Sequence, residues 1–296
     1  MGEFLLKRGI NLHTEGYKLQ DDLVQEKYFN IIREAGFDHL RLPVRGKMLE
    51  EGGKPYWDYL RDVCNRILDA GLIPMLDMHG YPEMATDPLK VKDNYLNLWE
   101  EVAAYLADLD ERVVFELYNE PHGAYNAQLL NQIQTEVIER IRKSNPTRWL
   151  AAATTHYNII ENLYALVLPE DDPNIFVTIH DYTPMKFTHQ GATWIKGYDE
   201  KGFKWGTDVQ RRYMTARYEL AAAWAEEHNR HLHLGEFGVL YTADMEQRAL
   251  WTDFVVRLCE ERGIAWSYWE FWRGFGAYDK ANDRWHPELL KALIHK

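Results

Sequence analysis

Eight short apolar runs, each followed by a longer amphipathic segment, constrain this chain more than any other feature. They stand at 8–12 (RGINL), 39–44 (HLRLPV), 72–79 (LIPMLDMH), 113–120 (VVFELYNE), 148–155 (RWLAAATT), 175–182 (IFVTIHDY), 231–238 (HLHLGEFG) and 264–271 (IAWSYWEF). Segments between them, such as DLVQEKYFNIIREAG and YWDYLRDVCNRILDAG, carry apolar residues at helical spacing and close on Gly, the residue favoured just past a helix C-terminus. Helical pattern also covers 91–109, 126–143, 208–228 and 245–262. Strands alternating with helices imply parallel βαβ units, and eight of them predict an α/β protein closed into a (β/α)8 TIM barrel. An open doubly wound sheet is the rival. No GxGxxG or GxxxxGKS/T follows the first run, which removes the usual nucleotide-binding form of that rival. No Pro/Gly/Ser-rich linker or charge block divides the 296 residues, so a single domain spanning 1–296 is expected.

In a barrel of this kind the active site lies at the C-terminal ends of the strands. The residues there are Asn11, Arg41, His79, Asn119, Glu120, Thr155, His180, Tyr182, Glu236 and Trp269, nearly all polar, titratable or aromatic. Two carboxylates on rigid strand ends are what glycoside hydrolysis requires, one to protonate the leaving oxygen and one to attack or activate water. Charged groups inside a barrel are costly unless paired, so Arg41 within HLRLPV calls for a carboxylate partner. Glu116, on the strand face of Glu120 but deeper, reads as a buried partner of a His or Arg.

The formal net charge of −12 argues against nucleic acid or an anionic membrane as partner, because phosphate binding needs a basic stripe. Nothing reaches transmembrane length, and the opening MGEFLLKRGINL lacks the apolar core of a secretory signal. The only two cysteines, Cys64 and Cys259, both fall on helical pattern and read as reduced core thiols. His228, His231 and His233 read as structural or solvated, lacking a further metal ligand. Eleven Trp exceed the needs of most cores, which points to some exposed for stacking on a ligand. The long stretch 183–207 carries Trp194, Phe203 and Trp205; it is expected to form a cleft wall with Trp194 as a sugar-stacking platform. For Trp272 and Phe275, cleft lining and loop packing both stay open.

Taken in order, RLPV with Arg41, DMH with His79, LYNEP with Glu120, IHDY with His180 and Tyr182, GEFG with Glu236 and YWEF with Trp269 resemble glycoside hydrolase family 5. The likeness runs from GINL to YWEFWRGFGAYD and leans to the endo-β-1,4-glucanase side, in particular to thermophilic members with mannanase side activity. It implies a retaining double displacement without metal or organic cofactor. Carried over, it makes Glu120 the acid/base and Glu236 the nucleophile, with Asn119 on the sugar 2-hydroxyl. His180 would stand beside the acid/base and Tyr182 beside the nucleophile, with Arg41 holding Glu236 ionised while Glu120 stays protonated. His79 would line the sugar site and Trp269 would form its stacking floor. The sequence departs from the family pattern at Gly80, where relatives often carry a second His, and after the first strand, where relatives tend to read GINxGNxLE and this chain has Asn11-Leu12-His13-Thr14-Glu15. The alternatives are a β-mannanase or glucomannanase, a short-chain β-glucosidase, or a carbohydrate-binding barrel without turnover. The expected partner is a β-linked polysaccharide or oligosaccharide, bound by a monomer. A polymer substrate favours secretion, with the cytoplasm as the alternative.

Overall fold

A computed structural model describes residues 4–12 and 25–295. Eight parallel strands close into a barrel in sequence order: β1 (Arg8–Asn11), β2 (His39–Val44), β3 (Ile73–Met78), β4 (Val114–Glu116), β5 (Leu150–Ala152), β6 (Ile175–His180), β7 (Leu232–Glu236) and β8 (Ala265–Tyr268). Closure is explicit in the register: Gly9 pairs with His39 of β2 on one side and Ser267 of β8 on the other. Nearly every strand residue is buried, as expected when helices cover the outside and side chains fill the inside. Close approach at the barrel interior requires glycine at position 9, where a Cβ would stand 2.2 Å from His39 Nε2.

Outer helices form where the pattern places them, with local signals fixing their ends. The helix Glu26–Ala35 stops at Gly36, whose φ of 113° suits only glycine. Asn126 caps Ala127–Arg142, and Thr207 with Gln210 forms a reciprocal capping box on Asp208–Glu227. One helix exceeds the expected span: Gly46–Asp69 begins ten residues before YWDYLRDVCNRILDAG (56–71), broken by non-helical Gly53 ahead of Pro55. Strands β4 and β5 are shorter than their apolar runs, so Glu120 and Thr155 lie beyond the hydrogen-bonded ladder. After β5 the chain makes a left-handed turn and a 3-10 segment, Ile160–Ala165, in place of a long helix. A two-stranded hairpin (Tyr278–Asp279 with Arg284–Trp285) and the helix Pro287–Leu293 follow β8.

Cys64 and Cys259 are buried thiols without a bond between them. His233 lies inside the barrel against His39 and Ser267, His231 stacks on Phe4, and His228 hydrogen-bonds the Trp224 carbonyl at a helix end. No described helix is long and apolar enough to cross a membrane.

Candidate active site

Arg41 is the centre from which the site is built. It is fully buried, and its planar fork of donors reaches five side chains. Nε and Nη2 bind Glu116 bidentately at 2.6 and 2.9 Å, Nη1 donates to Asn11 and Glu236 at 2.9 and 2.8 Å, and Nη2 also meets Asn119 at 2.7 Å and Asp77 at 3.0 Å. These partners come from β1, β3, β4 and β7 and their ends, so one guanidinium ties four sectors of the barrel. Burial opposes its charge, but Asp77, Glu116 and Glu236 outweigh that and hold the guanidinium protonated.

One positive charge cannot balance three buried carboxylates. Burial accordingly pushes Asp77 up to about 7 against the pull of Arg41, and raises Glu116 as well. Asp77 lies inside β3 and so is not among the residues that sequence places at strand ends. It sits two positions before His79 on the same strand face, the spacing that could have flagged it. Its Oδ2 lies 2.7 Å from His79 Nδ1, fixing that ring, while Oδ1 has no hydrogen-bond partner among the described residues.

Glu120 and Glu236 face each other across the mouth. One oxygen of each, with a ring nitrogen of His180, lies within 4.8 Å of the others. Oxygens brought within that bound suit the close carboxyl pair of retaining glycosidases, about 5–5.5 Å, better than the roughly 6.5–9.5 Å that leaves room for an inverting water. Their environments differ. Glu236 closes β7 with its side chain only 6% exposed, one oxygen on Arg41 and the other accepting from the Tyr182 hydroxyl at 2.9 Å. Glu120 keeps 28% of its side chain open to the cleft, in a backbone conformation (φ 51°) unusual for a non-glycine residue. Burial by the surrounding walls still lifts its carboxyl above the ordinary range, with His79, Arg41 and His122 pulling the other way.

His180 stands between the two, Nδ1 at 2.9 Å from Glu120 Oε1 and 3.8 Å from Glu236 Oε2. Burial pushes it down to about 4, so the ring is neutral over the physiological range. Asn158 places its amide 3.4 Å from Nε2, which suits a neutral ring carrying its hydrogen on Nδ1 and donating to Glu120. Burial likewise lowers His79 and raises the Tyr182 phenol, the latter aided by Glu236. Glu120, His180 and Glu236 form the one donor set among the described residues that could surround a metal ion, yet each already has a hydrogen-bonding protein partner.

Trp269 is half-buried and lies parallel to His79, ring centroids 5.7 Å apart, so the two line one side of the mouth together. Trp194 is 64% exposed on the long segment after β6. That segment is held by buried Gln190, which bonds Phe187 and Phe203 carbonyls and accepts from Gly202 and Phe203 amides. Trp205 is buried against Phe254 and Arg211, so it is packing and not cleft surface. Phe275 is also packing, beneath Tyr182 and His189, and Trp272 lies under Arg273 and Lys280. The residues His13-Thr14-Glu15 lie outside the described residues.

A closed parallel barrel with two carboxylates at this spacing over its C-terminal mouth is the arrangement of a glycoside hydrolase. The family model described as Cellulase (glycosyl hydrolase family 5) matches residues 6–274, and the chain belongs to that family. Its sequence is 28% identical to endoglucanase H of Acetivibrio thermocellus over 91% of this chain, which spans 30% of that relative. Cel5A of Thermotoga maritima, solved with cellobiose, is 34% identical with a TM-score of 0.92 over 98% of each chain. The cellulose synthase subunit Z of Clostridioides difficile is also 34% identical, with a TM-score of 0.91 over 98% of this chain and 99% of that one.

Proposed function

We propose that this protein is a retaining endo-β-1,4-glucanase, on one observation above the rest: two carboxylates within 4.8 Å in unlike environments at the barrel mouth. Glu236, held by Arg41 and Tyr182, attacks the anomeric carbon and forms a glycosyl ester. Glu120 passes its proton to the departing glycosidic oxygen. Because Oε1 accepts from His180, Oε2 is the oxygen left to carry that proton. Glu120, now a carboxylate, then takes a proton from water, whose oxygen attacks the anomeric carbon and releases Glu236. Asn119, anchored through Oδ1 on Arg41, keeps its amide N–H groups for the sugar 2-hydroxyl. Trp269 and His79 line the glycosyl side, and Trp194 is a platform on the leaving-group side.

Mannan or glucomannan as an additional substrate is favoured by Gly80, where a Cβ would meet nothing within 4 Å and the wall beside His79 is open. The Thermotoga maritima Cel5A has also been solved with mannotriose, which supports this second reading for a relative of similar fold. A binding barrel without turnover is disfavoured, since both carboxylates are present and supported. Product analysis on carboxymethyl-cellulose, glucomannan and galactomannan side by side tests the assignment. Release of short β-1,4-gluco-oligosaccharides with retained anomeric configuration is expected; inverted products or no glucan cleavage would overturn it.

A further inference from the structure

We infer that the outer face of the helix Asp208–Glu227 is a self-association surface, on which a second copy of this chain docks antiparallel about a two-fold axis, in place of the monomer expected from the sequence. The helix buries Met214, Tyr218 and Ala221 against its own barrel and leaves Val209, Tyr213, Ala216, Leu220 and Ala223 exposed. Those exposed residues recur at intervals of four, three, four and three, the spacing of a seam between two paired helices. Val209 is 68% exposed, and Tyr213 and Leu220 are each 55% exposed. Single apolar residues on a surface are ordinary, but an apolar line running roughly 21 Å along one helix is not scatter.

Charge selects both the occupant and its direction. Arg212, Glu219 and Glu226 stand seven residues apart along one flank of the seam, all exposed, so the flank is basic where the helix begins and acidic where it ends. Two copies set antiparallel about an axis between Tyr213 and Ala216 bring Arg212 of each against the partner's Glu219. In that register Tyr213 packs on the partner's Ala216, large against small, and Leu220 packs on the partner's Val209. Glu219 is available for the new pair: its side chain is 65% exposed and its ion pair to Arg262 is long, 3.7 Å. A parallel pairing would instead turn the charged flank toward the partner's Arg217 and Trp224, both buried against their own barrel.

The seam is also prearranged. The Arg217 guanidinium lies 5.7 Å from the Tyr213 ring centroid and is itself fixed on Asp181 at 2.7 Å, so the ring has a rigid support and loses little freedom on docking. The geometry leaves the catalytic clefts free. The helix starts on the mouth side, after β6, and runs down to the start of β7. Antiparallel docking therefore points the two mouths in opposite directions, and each stays open to a polymer.

Sedimentation velocity over about 1–100 μM should show wild type passing from the 35.0 kDa chain to a species of twice that mass. Arg212→Glu sets like charges opposite each other and should raise the dimer Kd at least ~10-fold, and Glu219→Arg should do the same. The double variant carrying both changes restores the pairing and should dimerise as wild type does. All three should keep the wild-type Tm at low concentration, which shows that the fold is intact. Val209→Cys and Leu220→Cys, oxidised together, should cross-link to each other and neither to itself; the native Cys64 and Cys259 are buried and take no part. Wild type that stays monomeric at every concentration overturns the proposal. So does a dimer indifferent to both charge reversals, or cysteine variants that each cross-link to themselves, the mark of a parallel pair.

Discussion

Arg41 Nη1 lies 2.8 Å from Glu236 Oε1 while Nη2 of the same guanidinium lies 2.7 Å from Asn119 Oδ1, so the end of β7 and the segment carrying Glu120 are set by one rigid plane. Arg41→Lys keeps the charge but replaces a planar fork by a point donor. It should lower kcat at least 100-fold. Arg41→Met, which leaves Asp77, Glu116 and Glu236 without their cation, should destabilise the fold by about 3–5 kcal/mol. Urea unfolding and steady-state kinetics check the pair; a stable, active Lys variant would show that the fork does not position the carboxylates.

Glu236→Ala and Glu120→Ala should fail in different ways. Loss of the nucleophile should abolish turnover of every substrate, and added azide should rescue it with inverted glycosyl azide. Loss of the acid/base should spare substrates whose leaving groups need little protonation, and azide should then give the retained product. Product stereochemistry by NMR separates the two. Identical behaviour of the variants would leave the distinct roles without support.

The basic limb of the pH profile should belong to Glu120. Burial raises its carboxyl, so the protonated acid persists above the ordinary carboxylate range and activity falls as pH rises through that raised value. Glu120→Gln should remove this limb from kcat/KM for an activated aryl cellobioside. His180 is neutral at these values and should contribute nothing to the limb.

Asp77 should leave a signature in stability. In the folded protein it holds its proton to about 7, whereas the unfolded chain loses it near the ordinary value of 3.8. Between these values the folded state binds more protons, so this group's contribution to stability falls as pH rises. Asp77→Asn abolishes that dependence. The variant's Tm relative to wild type should therefore climb between pH 4 and pH 8. A flat difference across that range would show that Asp77 is ionised throughout.

Trp194→Ala should weaken long-chain substrates by roughly 1–3 kcal/mol, the scale of one lost aromatic contact. β-Cellobiosyl fluoride, which leaves that side empty, should be almost unaffected. The side chain is too exposed to hold its own loop, and it is Gln190 that clamps the segment. Equal losses on both substrates would return Trp194 to a packing role.

The alternation of apolar runs and amphipathic segments determined the barrel, because strand and helix periodicities are local and each run can bury itself in only one kind of layer. The same runs placed His180 and Glu236 at strand ends and His79 and Glu120 just past them, where this architecture has its site; Arg41, expected at a strand end, instead lies inside β2 with its fork turned into the barrel. Glu116 was legible as a buried partner from parity alone. Tertiary structure decided what parity could not: that one guanidinium meets three carboxylates, which pushes Asp77 toward neutrality. It also sorted the aromatics, sending Trp205 and Phe275 into packing and leaving Trp194 and Tyr157 in the open. Tyr157 had no sequence signal because its outward turn depends on three left-handed residues, held by contacts to Pro121 and His180. Burial and charge balance are sums over residues far apart in the chain, and only the closed barrel brings those residues within reach of one another.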